Sequence, residues 1–159
     1  ANRYRSRKNK YLNSSEQGKL TMEASAYQDE AKRTSKINWA NINGVDVAAL
    51  GLIGEFGSLA SVVKKRQRDG DAYSSFDEHF IEESGDILWY VTTIASRVGV
   101  KYELWPHSPS EFSSIFEGLY CLHQSINELL KNKPLFASPT NLGIAKVEPL
   151  VLRILRDIK

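Results

Sequence analysis

The hydrophobic positions of this chain recur at helical spacing, and they predict the order of its elements. Apolar residues form one stripe from Thr21 to Thr34, which predicts a first helix. A loop is expected next, with Asn43-Gly44 as its turn signal and Asp46 as the cap of a long second helix. This helix is expected to end in a cluster of basic residues before Gly70, as the helix dipole favours. Its predicted apolar stripe comprises Val45, Ala48, Ala49, Leu52, Ile53, Phe56, Leu59, Ala60 and Val63.

The second half of the chain continues the helical pattern and contains no segment with strand periodicity. The sequence from Ser75 to Glu78 is a capping box that opens a third helix, and Gly99 is expected to stop it. Residues Ser108 to Glu111 combine a cap, a proline in the first turn and an acid, which predicts the start of a fourth helix. A last helical segment is interrupted by Pro149, which is expected to start a new piece. Together these elements predict an all-α fold, a bundle of four to five helices.

Composition and charge limit the domain organisation and the classes of partner. At 159 residues, with 42% hydrophobic and 25% charged residues, the chain fits one globular domain. We assign residues 1–19 to a polar tail and residues 20–159 to a single helical domain. The formal net charge is only +2, so no global field favours nucleic acid or an anionic membrane. Basic residues crowd the first ten positions, where they could touch polyanions or form a solvated arm.

The cysteine content and the hydropathy pattern bear on the cellular location. Cys121 is the only cysteine, so an internal disulfide is excluded and a reducing compartment is suitable. No uninterrupted run of about 18 apolar residues occurs. The basic start is not followed by the apolar segment of a secretory signal. We therefore expect a cytoplasmic protein that does not span a membrane.

Acidic residues recur beside the apolar stripes of the second and third helices. Because each residue advances a helix by roughly 100°, Glu55 lies roughly 90° from the centre of its stripe. On the third helix, Glu83 lies roughly 80° and Asp86 roughly 140° from the stripe, on the same side. If the two helices pack antiparallel through their apolar faces, acids from both helices meet at the edge of the core.

Carboxylates that are brought together repel each other unless they hold a cation. Oxygen ligands of this kind suit Mg²⁺ or Mn²⁺, and these ions in turn suit phosphate substrates. The alternative is that the acids lie on solvated helix flanks and hold no ligand. Other site chemistries fit less well, since the sequence lacks a G-x-x-x-x-G-K-[ST] motif, paired Glu-x-x-His motifs and a second cysteine for a zinc site.

The segments LGLIGEFGSLASVVKK and EESGDILWYV resemble the MazG-like all-α nucleoside triphosphate pyrophosphohydrolases. The pattern of that family is a Glu-x-x-Glu on one helix and a Glu-x-x-Asp on the next, each in a glycine-containing context. The upstream segment AYQDEAKRT is similar to the family's first helix, so the resemblance covers about residues 20–100. It implies a MazG-like bundle that cleaves a nucleoside triphosphate to a monophosphate and pyrophosphate.

Carried over by position, Glu55, Glu83 and Asp86 stand where the family places catalytic metal ligands, which implies bound Mg²⁺, with Mn²⁺ as a possible substitute. Ser58 stands where the family has a second Glu on the first helix. A serine hydroxyl is a weaker ligand than a carboxylate, so this departure argues against two-metal chemistry. The resemblance implies a metal-dependent pyrophosphohydrolase with an altered metal site. The alternative is a catalytically weak or inactive nucleotide-sensing or assembly module, part of a longer protein.

Other residues are candidates for contact with the substrate. Lys64 and Lys65 could bind phosphate, although they are also ordinary cations of a helix C-terminus. Gln28 and Trp39 could contact the base, because the resembled enzymes place nucleotide contacts around the first helix. His79 lies one turn before the first acid of the third-helix pair, and it could join the site or remain a surface histidine.

Small residues gather on the second helix opposite its apolar stripe. Such a strip lets another backbone approach closely, so the helix is expected to pack on both sides. Members of the resembled family are oligomers, which makes a homo-oligomer with a helical interface the expectation and a denser monomeric bundle the alternative. The residues on this side are Gly51, Gly54, Gly57, Ser58 and Ser61, accompanied by Val47 and Leu50.

Overall fold

The computed structural model describes residues 24–40, 42–101, 111–137 and 140–158, and these residues form an all-α fold. The predicted fold class is confirmed, since no β-strand occurs among them. The predicted tail, residues 1–19, lies outside the described part of the chain. The helices are α1 (Ala24–Thr34), α2 (Ile42–Asp69), α3 (Phe76–Val98), α4 (Ile115–Lys131) and α5 (Asn141–Ile158), with 3-10 turns at Gly70–Ala72 and Lys133–Ala137.

Helices α2 and α3 form an antiparallel hairpin, and they share the most extensive interface between two described helices. The hairpin turns at Gly70, whose φ of 56° lies in the left-handed region that favours glycine. The Arg66 guanidinium closes the turn by donating to the Gly70 carbonyl (2.8 Å) and to the Asp71 carboxylate (2.8 Å). Gly99, with a φ of 94°, ends α3 as the sequence predicts. The hairpin therefore places the two acidic segments side by side.

The core lies between this hairpin and helices α4 and α5. The predicted apolar stripe of α2 is buried at most of its positions, although Ile53 is 50% exposed. Burying an aliphatic side chain contributes roughly 1.5–3 kcal/mol, so this shared core is the main source of stability. Its fully buried members include Val45, Leu52, Ile87, Val91, Ile94, Val98, Leu129, Phe136, Val147, Val151 and Ile154.

Polar contacts attach α1 to the hairpin. The Gln28 side-chain amide donates to the Val100 carbonyl just beyond α3, at 2.7 Å. At the other end of α1, the Trp89 indole donates to Thr34 Oγ1, at 3.2 Å. Helix α1 therefore lies along the C-terminal half of α3.

The start of α2 differs from the prediction. Asn43-Gly44 is not a turn, because both residues lie inside the helix. Gly44 allows a close approach instead, since a Cβ there would lie 1.8 Å from the Asn38 carbonyl oxygen. Asp46 does not cap the helix; it lies within α2, and its carboxylate accepts a hydrogen bond from Lys133 (2.6 Å). That ion pair attaches the turn after α4 to α2.

The caps of α3 and α4 also differ from the prediction. Helix α3 begins where expected, but the Ser75 side chain makes no capping hydrogen bond, since its backbone (φ −91°, ψ 17°) is already close to helical. Helix α4 begins later than predicted, and residues 108–110 of its expected cap lie outside the described chain. The Glu117 N–H donates to Ser114 Oγ (3.2 Å), while the Glu117 carboxylate accepts from the Ser113 N–H (2.8 Å). These two hydrogen bonds cap α4 in place of the expected capping box.

Pro149 does not start a new helical piece, because α5 continues through it. The proline is exposed, and so is Ala145, whose carbonyl loses its helical donor and can be hydrated instead. Val147, Val151 and Ile154 remain buried on the opposite side. Core packing on both sides of the proline therefore maintains a continuous helix.

Among the described residues, the segment Gly44–Ala72 is long and apolar enough, by length and composition alone, to cross a membrane. The sequence expectation missed it because it counted uninterrupted apolar residues, whereas an average over the helix tolerates its glycines and Glu55. Core helices of soluble proteins pass the same test, so one such helix is a weak indication of a span. Leu52 and Leu59 of this helix are buried in the core, while 33% of its most apolar stretch is buried as a whole.

Candidate metal centre

Three carboxylates meet where α2 packs against α3. One oxygen from each of Glu55, Glu83 and Asp86 lies within 4.8 Å of the others. Glu55 and Glu83 are half-buried, whereas Asp86 is exposed. Among the described His, Cys, Asp and Glu side chains, these three are close enough together to bind one metal ion. The structure therefore brings together the three acids proposed as ligands, and their role in metal binding stays a prediction.

Helix geometry explains the meeting. Glu83 and Asp86 are three residues apart, so they project from one side of α3, while Glu55 approaches from the antiparallel α2. Ser58 follows Glu55 by three residues on α2 and is half-buried. Because Ser58 carries no carboxylate, the cluster offers three acids, where the pattern of the resembled family has four.

Partial burial and mutual repulsion make these carboxylates weaker acids. Burial raises the pKa of Glu55, and the charges of Asp86 and Glu83 raise it further. The pKa of Glu83 is also raised, first by burial and then by Asp86 and Glu82. A positive charge on His79 opposes this rise. For Asp86, loss of contact with water and then the charge of Glu82 raise the pKa. A bound cation would relieve the repulsion within the cluster.

Tyr90 belongs to the site, although sequence reasoning missed it. Its ring packs over Gly51, where a Cβ would lie 2.1 Å from Cζ and 2.5 Å from the hydroxyl oxygen. Burial raises the pKa of Tyr90, and the charges of Glu55 and Asp86 raise it further, which places the phenol beside the cluster. The Trp89 and Tyr90 rings lie nearly perpendicular to each other, with 4.9 Å between the ring centres. The sequence does carry a sign of this position: Tyr90 follows Asp86 by four residues, so the two side chains share one face of α3.

Two glycines in the middle of α2, Gly54 and Gly57, border an open surface. A Cβ at Gly54 or Gly57 would meet no described atom within 4 Å. Val47 and Leu50, on the same side, are 52% and 67% exposed. We call the surface formed by Val47, Leu50, Gly54 and Gly57 the open face of α2. Tyr90 therefore packs on this side of the helix at Gly51, as expected. No other described residue covers the open face.

The other predicted substrate contacts lie farther from the acids or serve the fold. Lys64 and Lys65 are exposed near the hairpin turn, and Lys65 Nζ lies 4.1 Å from the centre of the Tyr73 ring. Gln28 is buried, with its amide engaged in the bond that holds α1. Trp39 is partly buried and packs against the core. The structure thus gives Gln28 and Trp39 structural contacts.

The chain is similar to a phage protein over part of its length. It is 36% identical over 62 residues to the gene 37 protein of Mycobacterium phage L5. The match covers 38% of this chain and 54% of the phage protein, so the chain spans about half the length of that relative. No protein-family model matches the chain, and no solved structure matches it. The function is therefore argued from the site.

Proposed function

We propose that this protein is a metal-dependent nucleoside triphosphate pyrophosphohydrolase of the MazG-like type. The observation that carries the proposal is the meeting of Glu55, Glu83 and Asp86 within 4.8 Å. Clustered carboxylate oxygens are the ligands that Mg²⁺ and Mn²⁺ prefer, and these ions bind the phosphates of nucleotides. The resemblance of the two acidic segments supports the bond that is cleaved, which would give a monophosphate and pyrophosphate.

The three acids fit a divalent cation on chemical grounds. Their oxygens are hard ligands. Burial and then repulsion between the carboxylates raise the pKa of Glu55 and of Glu83, and a bound cation would offset the repulsion. When bound, the ion would neutralise charge on the triphosphate and lower the pKa of water. Glu55 and Glu83 are held by their half-buried positions, while the exposed Asp86 leaves the site accessible to a substrate. Tyr90 borders the site at one end.

Ser58 supports a second candidate function. A serine in place of a carboxylate weakens divalent-ion binding, so turnover could be slow or absent. The chain would then be a nucleotide-sensing or assembly module within a longer protein. This alternative predicts nucleotide binding without product, whereas the first proposal predicts both.

A second copy of the chain is the proposed partner for the open face of α2. The exposed side chains of Val47 and Leu50 would lose contact with water there, and Gly54 and Gly57 would let a second backbone approach closely. Because Gly54 adjoins Glu55 in the sequence, a copy bound at this face would also wall one side of the site. The resemblance implies oligomers as well. We place the protein in the cytoplasm, which suits a chain with one cysteine.

The test is product analysis with a panel of ribonucleoside and deoxyribonucleoside triphosphates. With Mg²⁺ or Mn²⁺, we expect monophosphate and pyrophosphate in equal amounts, and chelation by EDTA should stop the reaction. In ¹⁸O-labelled water, label in the monophosphate shows attack at the α-phosphorus. Formation of a diphosphate and phosphate would contradict the assigned bond. Nucleotide binding without any product would favour the sensing module, and no binding would contradict both candidates.

A further inference from the structure

Three side chains form a connected cluster at the hairpin end of the carboxylate site. The Tyr73 hydroxyl lies 2.5 Å from His79 Nδ1, and Lys65 Nζ lies 4.1 Å from the centre of the Tyr73 ring. Tyr73 is 7% exposed, so a buried phenol supports both contacts. These residues come from the end of α2, the hairpin turn and the first turn of α3. We call them the Lys65–Tyr73–His79 cluster.

The contact with Tyr73 orients the His79 ring. The phenol occupies Nδ1, which leaves Nε2 as the ring nitrogen available to a ligand. When the phenol donates to Nδ1, the proton of the neutral ring is on Nε2, so Nε2 is a hydrogen-bond donor. An imidazole N–H and a lysine ammonium both bind phosphate oxygens well. The Tyr73 contacts hold both groups before a ligand binds, which lowers the entropic cost of binding.

The neighbouring charges leave Lys65 available. Arg66 is engaged with Asp71 at 2.8 Å, and Arg68 is engaged with Asp69 at 2.6 Å. Lys65 forms no ion pair within the described residues. The pKa of nearby Asp69 is lowered mainly by its hydrogen bond from Arg68, and only last by the charge of Lys65. Its exposed ammonium is therefore free to bind an anion.

The cluster lies beyond the carboxylates in one direction along the hairpin. His79 precedes Glu83 by four residues, about 6 Å along the helix axis. Tyr90 follows Asp86 by the same number of residues in the opposite direction. The acids therefore lie between a cationic end and an aromatic end, which gives the site a direction.

We propose that Lys65, Tyr73 and His79 bind the outer phosphates of the substrate, the part that leaves as pyrophosphate. The inference rests on the proposed function, because a cation held by the carboxylates would join the substrate to the acids. Successive phosphorus atoms of a triphosphate are only a few ångströms apart, so His79, about one helical turn from Glu83, is within reach of the outer phosphates. The Lys65 side chain extends this contact toward the hairpin turn.

The test is calorimetric binding of inorganic pyrophosphate, with Mg²⁺, to the chain and its variants. We expect Lys65→Met and His79→Gln each to lower the affinity about tenfold, as loss of a charged hydrogen bond does. Tyr73→Phe keeps the ring under Lys65, so a smaller loss of about threefold is expected. The matched control is Lys146→Met, which removes an exposed cation of α5 and should bind pyrophosphate as the parent does. Binding of a nucleoside monophosphate should be equal in all of these proteins.

Two further measurements separate this inference from the proposed function. In the unmodified protein, pyrophosphate should shift the NMR resonances of the His79 ring. Resonances that do not shift would overturn the inference, and this result does not depend on whether any variant folds. Unchanged pyrophosphate affinity in both Lys65→Met and His79→Gln would overturn it as well, even if the parent turned over triphosphates. Loss of pyrophosphate binding in those variants would support it even if the parent released no product.

Discussion

Tyr90 occupies the space that a side chain at Gly51 would need, since a Cβ there would lie 2.1 Å from Cζ of the tyrosine ring. The glycine is therefore a condition for the hairpin packing beside Glu55 and Asp86. Gly54 and Gly57 have no such neighbour among the described residues. Of these three glycines, Gly51 thus has a packing role within the described chain, while Gly54 and Gly57 border the open face.

Substitution of two of these glycines should change stability in opposite directions. Gly51→Ala should lower the free energy of unfolding by about 1–3 kcal/mol, because the new methyl group overpacks against Tyr90. Gly54→Ala should raise it by up to about 1 kcal/mol, because alanine favours the helix and meets open space. Urea unfolding at low protein concentration measures both. Equal changes of the same sign would show that Tyr90 does not fill this space.

The pH dependence of stability should report the burial of Glu83 and its repulsion by neighbouring acids. Its pKa in the folded protein is raised, so the folded state binds this proton more tightly than the unfolded state does. In EDTA at pH 7, Glu83→Gln should therefore be more stable than the parent. That advantage should shrink as the pH falls through the raised pKa, because the parent then gains its proton. Thermal melts of both proteins across this range measure the difference.

Adding Mg²⁺ should reverse the order of those two proteins. The ion favours the ionised carboxylates of the parent and stabilises its folded state, whereas Glu83→Gln has lost a ligand. A parent that remains less stable than Glu83→Gln at saturating Mg²⁺ would show that the cluster holds no ion.

Ser58→Glu should strengthen metal binding. The substitution adds a carboxylate one turn from Glu55, at the position where the resembled family has a ligand. We expect Mg²⁺ affinity to rise about tenfold by calorimetry, with turnover rising if the missing acid limits it. The control is Ser61→Glu, which adds the same charge at an exposed position on α2. Equal effects of the two substitutions would assign the gain to overall charge.

The open face of α2 should control the association of copies. Leu50 is 67% exposed there, so Leu50→Glu should convert a dimer to a monomer in sedimentation velocity. Leu142→Glu is the matched control, because Leu142 of α5 is 59% exposed on another helix. A parent that remains monomeric across the micromolar range would contradict the proposed interface.

The sequence predicts the core and the meeting of the acids because both follow from the period of the helix. Leu52 and Val63 lie on the predicted stripe of α2 and are buried, and Glu55 lies at the edge where α2 meets α3. The spacing of Glu83 and Asp86 can be predicted from one helix alone, and the hairpin can be predicted from the glycine turn at Gly70. These features depend on local helix geometry, which can be read from the spacing of residues in the sequence.

Features that depend on a second segment were not predicted. The role of Gly51 requires the register that puts Tyr90 opposite it. Asp46 has the composition of a cap, but Lys133, distant in sequence, binds its carboxylate within α2. Pro149 is tolerated because buried residues on both sides hold α5 in place. In each case a tertiary contact outweighs the local preference.

The most direct test of the account compares Glu83→Gln with Glu82→Gln. Both substitutions remove one negative charge from α3, but Glu82 is exposed and lies outside the carboxylate cluster. We would measure Mg²⁺-dependent release of pyrophosphate from the best nucleoside triphosphate of the panel. We expect Glu83→Gln to lose at least about 100-fold in rate, while Glu82→Gln stays close to the parent. Equal rates in all three proteins would contradict it, because catalysis would then not depend on the carboxylates that α2 and α3 bring together.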